Sequence, residues 1–245
     1  MPTTSDSPIA ASHALAPGFA CFTTGRGLPN HKETTIAESA ESIRALLPGE
    51  VVAIVFAGQI HGTTVTPIGC GTKGVVRMPS CDGLVTDKAG MALVIRTADC
   101  LPLVLVDAEA RVCAGLHAGW RGCFENMLEA GVAASVALGA RRERLRLWIG
   151  PCIRGSVYEV SPELGEDFQK RWGHLGMIVR QPASAPRPFL DLPELVALQA
   201  QAAGITSDRI VDSGLCTFSD ARIFHSHRRQ GTDRGHEFTV CGFLE

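Results

Sequence analysis

The 245 residues carry 23 Lys and Arg against 25 Asp and Glu, a formal charge of −2, with a sequence pI near 6.4. That balance lacks the basic excess needed to attract nucleic acid or an anionic membrane surface, so a small-molecule partner is expected. An apolar share of 45% is ample for a core, and no run approaches the roughly 18 uninterrupted apolar residues of a membrane span, because the best candidate, 91–106, is broken by Arg96, Asp99 and Pro102.

Residues 1–18 are rich in Ser, Thr, Ala and Pro and lack both the basic start and the apolar stretch of a secretory signal. They are expected to form a flexible N-terminus ahead of a single domain over 19–245. A strand is predicted at 19–24, and a helix at 34–47 that Pro48-Gly49 ends. Strands follow at 51–57, 61–66 and 82–86, where β-branched and apolar residues cluster. Two more, 91–96 and 101–106, flank Thr97-Ala98-Asp99-Cys100, and the next is 112–116. From Trp120 on, Phe124, Met127, Leu128 and Val132 recur at helical spacing.

A strand at 145–149 leads into helices at 161–172 and 192–203, the second stopped by Gly204. Strands at 209–211, 221–226 and 237–243 close the chain, the last two joined by a polar turn over 228–235. The Pro-rich segment 181–188 reads as an exposed loop. With no repeat of fixed period and no linker, one α+β domain is expected.

Nine cysteines are scattered along the chain with no C-x-x-C pair, which fits neither a disulfide scaffold nor a structural zinc ribbon. Most suit small buried hydrophobes in a reducing, cytoplasmic setting. Cys100 stands apart because Asp99 precedes it. His61 in Gln59-Ile60-His61-Gly62, Cys100 in Thr97-Ala98-Asp99-Cys100 and His117 in His117-Ala118-Gly119-Trp120-Arg121-Gly122 each sit beside residues that permit tight backbone. Imidazole and thiolate are the ligands that zinc prefers, and three of them leave a fourth tetrahedral position open for chemistry. A metalloenzyme is therefore expected, with zinc as cofactor and copper the weaker alternative.

Asp99 lies between two apolar strands, so burial with a partner is expected, either Arg96 or a substrate group. Asp82, in Cys81-Asp82-Gly83, is a candidate to orient an imidazole or contact substrate. Arg121, at a helix start, is a candidate phosphate ligand, and Arg222, Arg228, Arg229 and Arg234 with His225 and His227 form a second candidate anion surface. Two other patterns are set aside. Gly69-Cys70-Gly71-Thr72-Lys73-Gly74 matches a dinucleotide fingerprint but does not open a helix, and neither the H-x-E with P-C-x-x-C deaminase signature nor H-E-x-x-H occurs.

The three ligand motifs, together with Leu101-Pro102, Ile149-Gly150-Pro151, Tyr158-Glu159-Val160 and Phe224-His225-Ser226-His227-Arg228-Arg229, resemble the bacterial laccase-like polyphenol oxidoreductase family, in the same order over about 51–243. The resemblance implies two mixed β-sheets packed together and flanked by helices, a layered α/β/β/α domain. It also implies one metal on His61, Cys100 and His117, and an enzyme for phosphorolysis of adenosine, inosine and methylthioadenosine and deamination of adenosine; a monomer is expected separately. Asp99, Cys100 and His117 are then the catalytic candidates, and Gln59, Asp82, Arg121, Ser226 and Arg228 the substrate-binding ones. Here the family's N-terminal arm is shortened to Thr24-Gly25-Arg26-Gly27-Leu28-Pro29, and its Thr-Gly-Arg becomes Thr232-Asp233-Arg234. The residues leave three other readings open. One is a hydrolase in which His117, oriented by Asp99, activates a Cys100 nucleophile; the others are copper-dependent phenol oxidation and a metal-binding domain without turnover.

Overall fold

The computed structural model describes residues 7–28 and 34–244. Residues 1–6 of the expected N-terminal tail and Pro29 of the shortened arm lie outside that range. In chain order the elements are β1 (Ile9–Ser12), β2 (Phe19–Thr24), α1 (Ile36–Arg44), β3 (Ala53–Ala57), β4 (Val65–Pro67), β5 (Gly74–Met78), β6 (Gly83–Thr86), β7 (Met91–Thr97), β8 (Leu101–Asp107), β9 (Val112–Ala118), α2 (Trp120–Phe124) and α3 (Met127–Ala137). Then come β10 (Arg146–Ile149), α4 (Pro162–Trp172), β11 (Val179–Arg180), β12 (Phe189–Leu190), α5 (Leu192–Ala202), β13 (Ile210–Asp212), α6 (His227–Gln230) and β14 (Glu237–Phe243).

Two six-stranded mixed sheets carry the fold, in the orders β1-β2-β14-β7-β3-β5 and β13-β10-β8-β9-β6-β4. Strand alternation decides which residues meet between them. Val55, Leu93, Ile95 and Cys241 of the first sheet pack on Val104, Val106, Cys113 and Trp148 of the second. The alternate residues Ile54, Phe56, Val94 and Phe238 turn outward onto Ala40 and Ile43 of α1. On the far side, Leu103, Leu105 and Leu116 meet Leu128 and Val132 of α3 and Leu195 of α5. Because both faces of the inner strands are covered, β8 and β9 are buried at every residue and read as continuous apolar runs. The layers are α/β/β/α, as expected.

Local signals account for the helix starts. Thr35 and Glu38 form a capping box on α1, while Ser161 with Pro162 opens α4 and Asp191 caps α5.

Five expectations are corrected. Ile9–Ser12, inside the supposed tail, pairs with β2. The strand set at 61–66 begins only at Val65, because the Asp82 carboxylate takes the N–H groups of Ile60, His61 and Gly62. Gly74–Met78, absent from the predicted strands, pairs in parallel with β3. The helix after Trp120 breaks at Asn126, which adopts φ 63° and caps α3 with its side chain. Finally, 221–226 is no strand: the Asp220 carbonyl gathers the N–H groups of Ile223 and Phe224 into a turn, and Ser226 caps α6.

Candidate metal centre

His61, Cys100 and His117 come together at strand ends, and one donor atom from each lies within 4.8 Å of the others. Zinc bonds of about 2.0–2.3 Å place tetrahedral donors under about 4 Å apart, close to the separation found here. The His61 and His117 rings stand nearly perpendicular, 81° apart with centroids at 4.9 Å. His117 is buried, Cys100 half-buried and His61 exposed, leaving one side of the cluster open.

The backbone around the trio is strained where it must turn sharply. Gln59, His61 and Asp99 all have positive φ, at 55°, 63° and 87°, a left-handed conformation uncommon for such residues and concentrated at functional sites. Gly119 fills no space for a different reason. A Cβ there would stand 3.2 Å from the Cys100 Sγ and 3.1 Å from the His61 ring.

Asp82 organises the centre. Its fully buried carboxylate accepts from Nδ1 of His117 at 2.8 Å, and from the N–H groups of Ile60, His61 and Gly62 at 3.2, 2.8 and 2.8 Å. One side chain thus orients His117 so that Nε2, once its proton leaves, can bind a cation, and sets the loop that presents His61. Burial works against ionisation of Asp82, but these bonds hold its carboxyl below the usual range. Burial also opposes charge on Cys100 and His117. Hydrogen bonds from the two imidazoles nevertheless pull the thiol down to about 6, and Asp82 with Cys100 raises the imidazole to about 9. The sulfur is therefore poised as thiolate, the form that binds metal.

Asp99 has other partners than the expected Arg96, whose side chain lies on the opposite, outer face. Its carboxylate accepts from Thr217 Oγ1 at 2.7 Å, Ser226 Oγ at 3.0 Å and the Arg228 N–H at 2.6 Å. Asp99 therefore latches the start of α6 beside Cys100, and it is Asp82, not Asp99, that contacts His117. Ser226 is buried and serves this latch, and Arg228 bonds the Glu159 carbonyl at 2.8 Å while stacking over Tyr158 at 5.0 Å.

A cavity of about 280 Å³ opens against the centre, lined by Asp99, Cys100, Trp120, Tyr158, Leu192 and Arg228 among others. Trp120 and Tyr158 were not among the expected site residues. Their signal lay in the motifs, where Trp120 follows His117-Ala118-Gly119 and Tyr158 opens Tyr158-Glu159-Val160; burial pushes the Tyr158 phenol up to about 12. Gln59 spends its amide on the N–H and C=O of Arg96, and Arg121 is exposed, lying 4.3 Å over the Trp120 ring. The second anion surface disperses: Arg229 is bonded to the Thr217, Phe218 and Phe224 carbonyls, Arg222 is exposed, and Arg234 bonds Gly231.

Residues 18–243 match the family model described as multi-copper polyphenol oxidoreductase laccase. The chain belongs to that family. Among proteins similar to this laccase-family chain is a purine nucleoside phosphorylase of Xylella fastidiosa (strain Temecula1), 36% identical over 176 residues that make up 70% of this chain and 65% of that protein. Another is the adenosine deaminase RL5 of an unknown prokaryotic organism, 36% identical over 159 residues, 64% of this chain and 60% of that one. The chain matches less than two thirds of the length of either. The crystal structure of YlmD from Geobacillus stearothermophilus has the same fold, with a TM-score of 0.82 at 24% identity over 95% of this chain and 94% of that one.

Proposed function

We propose that this laccase-family protein is a zinc-dependent purine nucleoside phosphorylase that also deaminates adenosine. The observation that carries the reading is a His-Cys-His donor cluster, open on one side, that abuts an aromatic-lined cavity. The names of its relatives support the substrate class. Two imidazoles and a thiolate suit zinc, and among the described residues this is the one His, Cys, Asp and Glu group able to hold an ion. A multicopper oxidase would need several such groups.

Zinc in that position supplies Lewis acidity to a bound substrate. The chain's own residues do the rest. Tyr158 and Trp120 offer apolar ring surface to a purine, and Leu192 helps keep water from its faces. Arg228, held by Asp99 and Glu159, brings a fixed cation to the cavity mouth, where it orients a phosphate oxygen toward ribose C1′. As the new C1′–O bond forms, the C1′–N9 bond breaks and its electron pair leaves with the base. Deamination requires addition of water at C6 and departure of ammonia. The test is incubation of purified protein with adenosine, with and without phosphate. Adenine that appears only with phosphate, and inosine in either case, are expected; neither product forming would refute the proposal.

One observation favours a second reading. The depressed Cys100 thiol, His117 and Asp82 form a Cys-His-Asp line of the kind used for nucleophilic catalysis. Rapid, stoichiometric alkylation of Cys100 in metal-free protein, with activity retained in chelator, would select this hydrolase reading over the zinc enzyme.

A further inference from the structure

The outer face of the first sheet carries a polar feature that the metal centre does not use. Register sets Arg77 of β5 beside Phe56 of β3, and Phe56 beside Val94 of β7. Beyond the end of that pairing, the Gln59 amide holds both backbone groups of Arg96. Arg96 pairs on its other side with Phe238 of β14. By strand alternation Arg77 and Arg96 therefore project from the face that carries Phe56, Val94 and Phe238.

Arg77 reaches across to the Gly58 carbonyl at 2.8 Å, next to the Gln59 that holds the Arg96 backbone. Arg234 comes in from the turn before β14, with one nitrogen on the Gly231 carbonyl at 3.1 Å and a buried Nε that has no partner. After burial, the proximity of Arg77 and Arg234 is what lowers the Arg96 pKa.

None of the three arginines is in an ion pair among the described residues. The neighbouring Glu237 does not neutralise them: it pairs with Thr97 and so projects from the opposite face, and burial keeps its carboxyl well above the usual range. Three neighbouring cations without a counter-charge among the described residues favour an anion, and guanidinium forks match the oxygens of a phosphoryl group. We propose that Arg77, Arg96 and Arg234 form a phosphoryl-binding site on the outer face of the first sheet, separate from the cavity beside Cys100, which none of them lines.

The test is isothermal titration of the purified protein with sodium phosphate and, separately, with adenosine 5′-monophosphate, ionic strength being fixed with sodium chloride. Saturable binding that Arg96→Gln and Arg234→Gln each weaken ten-fold or more supports the site. If phosphate alone behaves so, the free ion suffices; if only the monophosphate does, the group belongs to a larger ligand. No saturable binding of either probe, or binding that both variants leave unchanged, overturns it. In phosphate-free buffer the two variants should melt at or above the wild-type temperature, since each removes a repelling cation. A fall in both would show that the fold itself uses these charges, and would contradict the site. Zinc content and nucleoside turnover read on the same samples separate its failure from failure of the nucleoside reading, because only the arginine dependence bears on it.

Discussion

At Gly119 a methyl group would press on the Cys100 sulfur and the His61 ring together, while the backbone, with φ −71°, accepts any residue. Gly119→Ala should therefore spare the fold and injure the centre. Overpacking of about 1–3 kcal/mol translates into zinc affinity reduced roughly ten-fold or more, read by competition with a chromophoric chelator, with the melting temperature in chelator unchanged. Asp82→Asn tests the opposite side of the same centre. An amide cannot match a carboxylate that accepts four N–H groups, so zinc affinity should fall about 10–100-fold, accompanied by a stability loss that chelator does not abolish. The three ligands were legible because His61, Cys100 and His117 sit beside Gly or Asp where packing does not ask for them. Asp99 was legible as buried and paired, but its partners come from residues 217–228, more than a hundred positions away, and no local pattern names them. Tyr158 and Trp120 escaped for the same reason, since the cavity exists only once five separate segments meet.

Among the elements, the short α6 and the β8–β9 hairpin each depend on one polar residue. Ser226 caps α6 through the Arg229 N–H and donates to Asp99; Ser226→Ala should cost about 1 kcal/mol in denaturant unfolding and, by loosening Arg228, raise KM more than it lowers kcat. Asp107, fully buried at the end of β8, accepts from the N–H groups of Glu109, Ala110 and Arg141 and from Arg144. Burial opposes its charge, yet these bonds lower its pKa. The stabilisation is then complete above the unfolded value of about 3.9 and disappears as pH falls through the lower folded value. Asp107→Asn should be about 2 kcal/mol less stable at neutral pH, and the two proteins should converge as the pH drops below about 4. Periodicity located β2 and β14 without error because both faces of those strands are committed to packing. It failed for β5, an exposed edge strand behind a Gly-rich turn, and for 221–226, where a turn held by the Asp220 carbonyl overrides the strand-like composition.

Across the whole molecule, the two sheets bring the loops after β3 and β7 and the end of β9 to one edge, and a metal ion there would join three distant parts of the chain. An ion at a hundred times its dissociation constant adds about 2.7 kcal/mol, so stripping it with chelator should lower the melting temperature by roughly 5–10 °C for a chain of this size. The layered architecture could be inferred from apolar runs separated by helices and from the family resemblance. The strand order could not, because pairings such as β14 with β7 join residues far apart in sequence. X-ray absorption spectroscopy with metal quantitation on protein purified without added metal tests the central assignment most directly. One zinc per chain, bound by one sulfur and two imidazole nitrogens from the protein and lost in Cys100→Ala and His117→Ala, is the predicted result. Protein that is metal-free, or whose metal shows no sulfur ligand and persists in both variants, would contradict it.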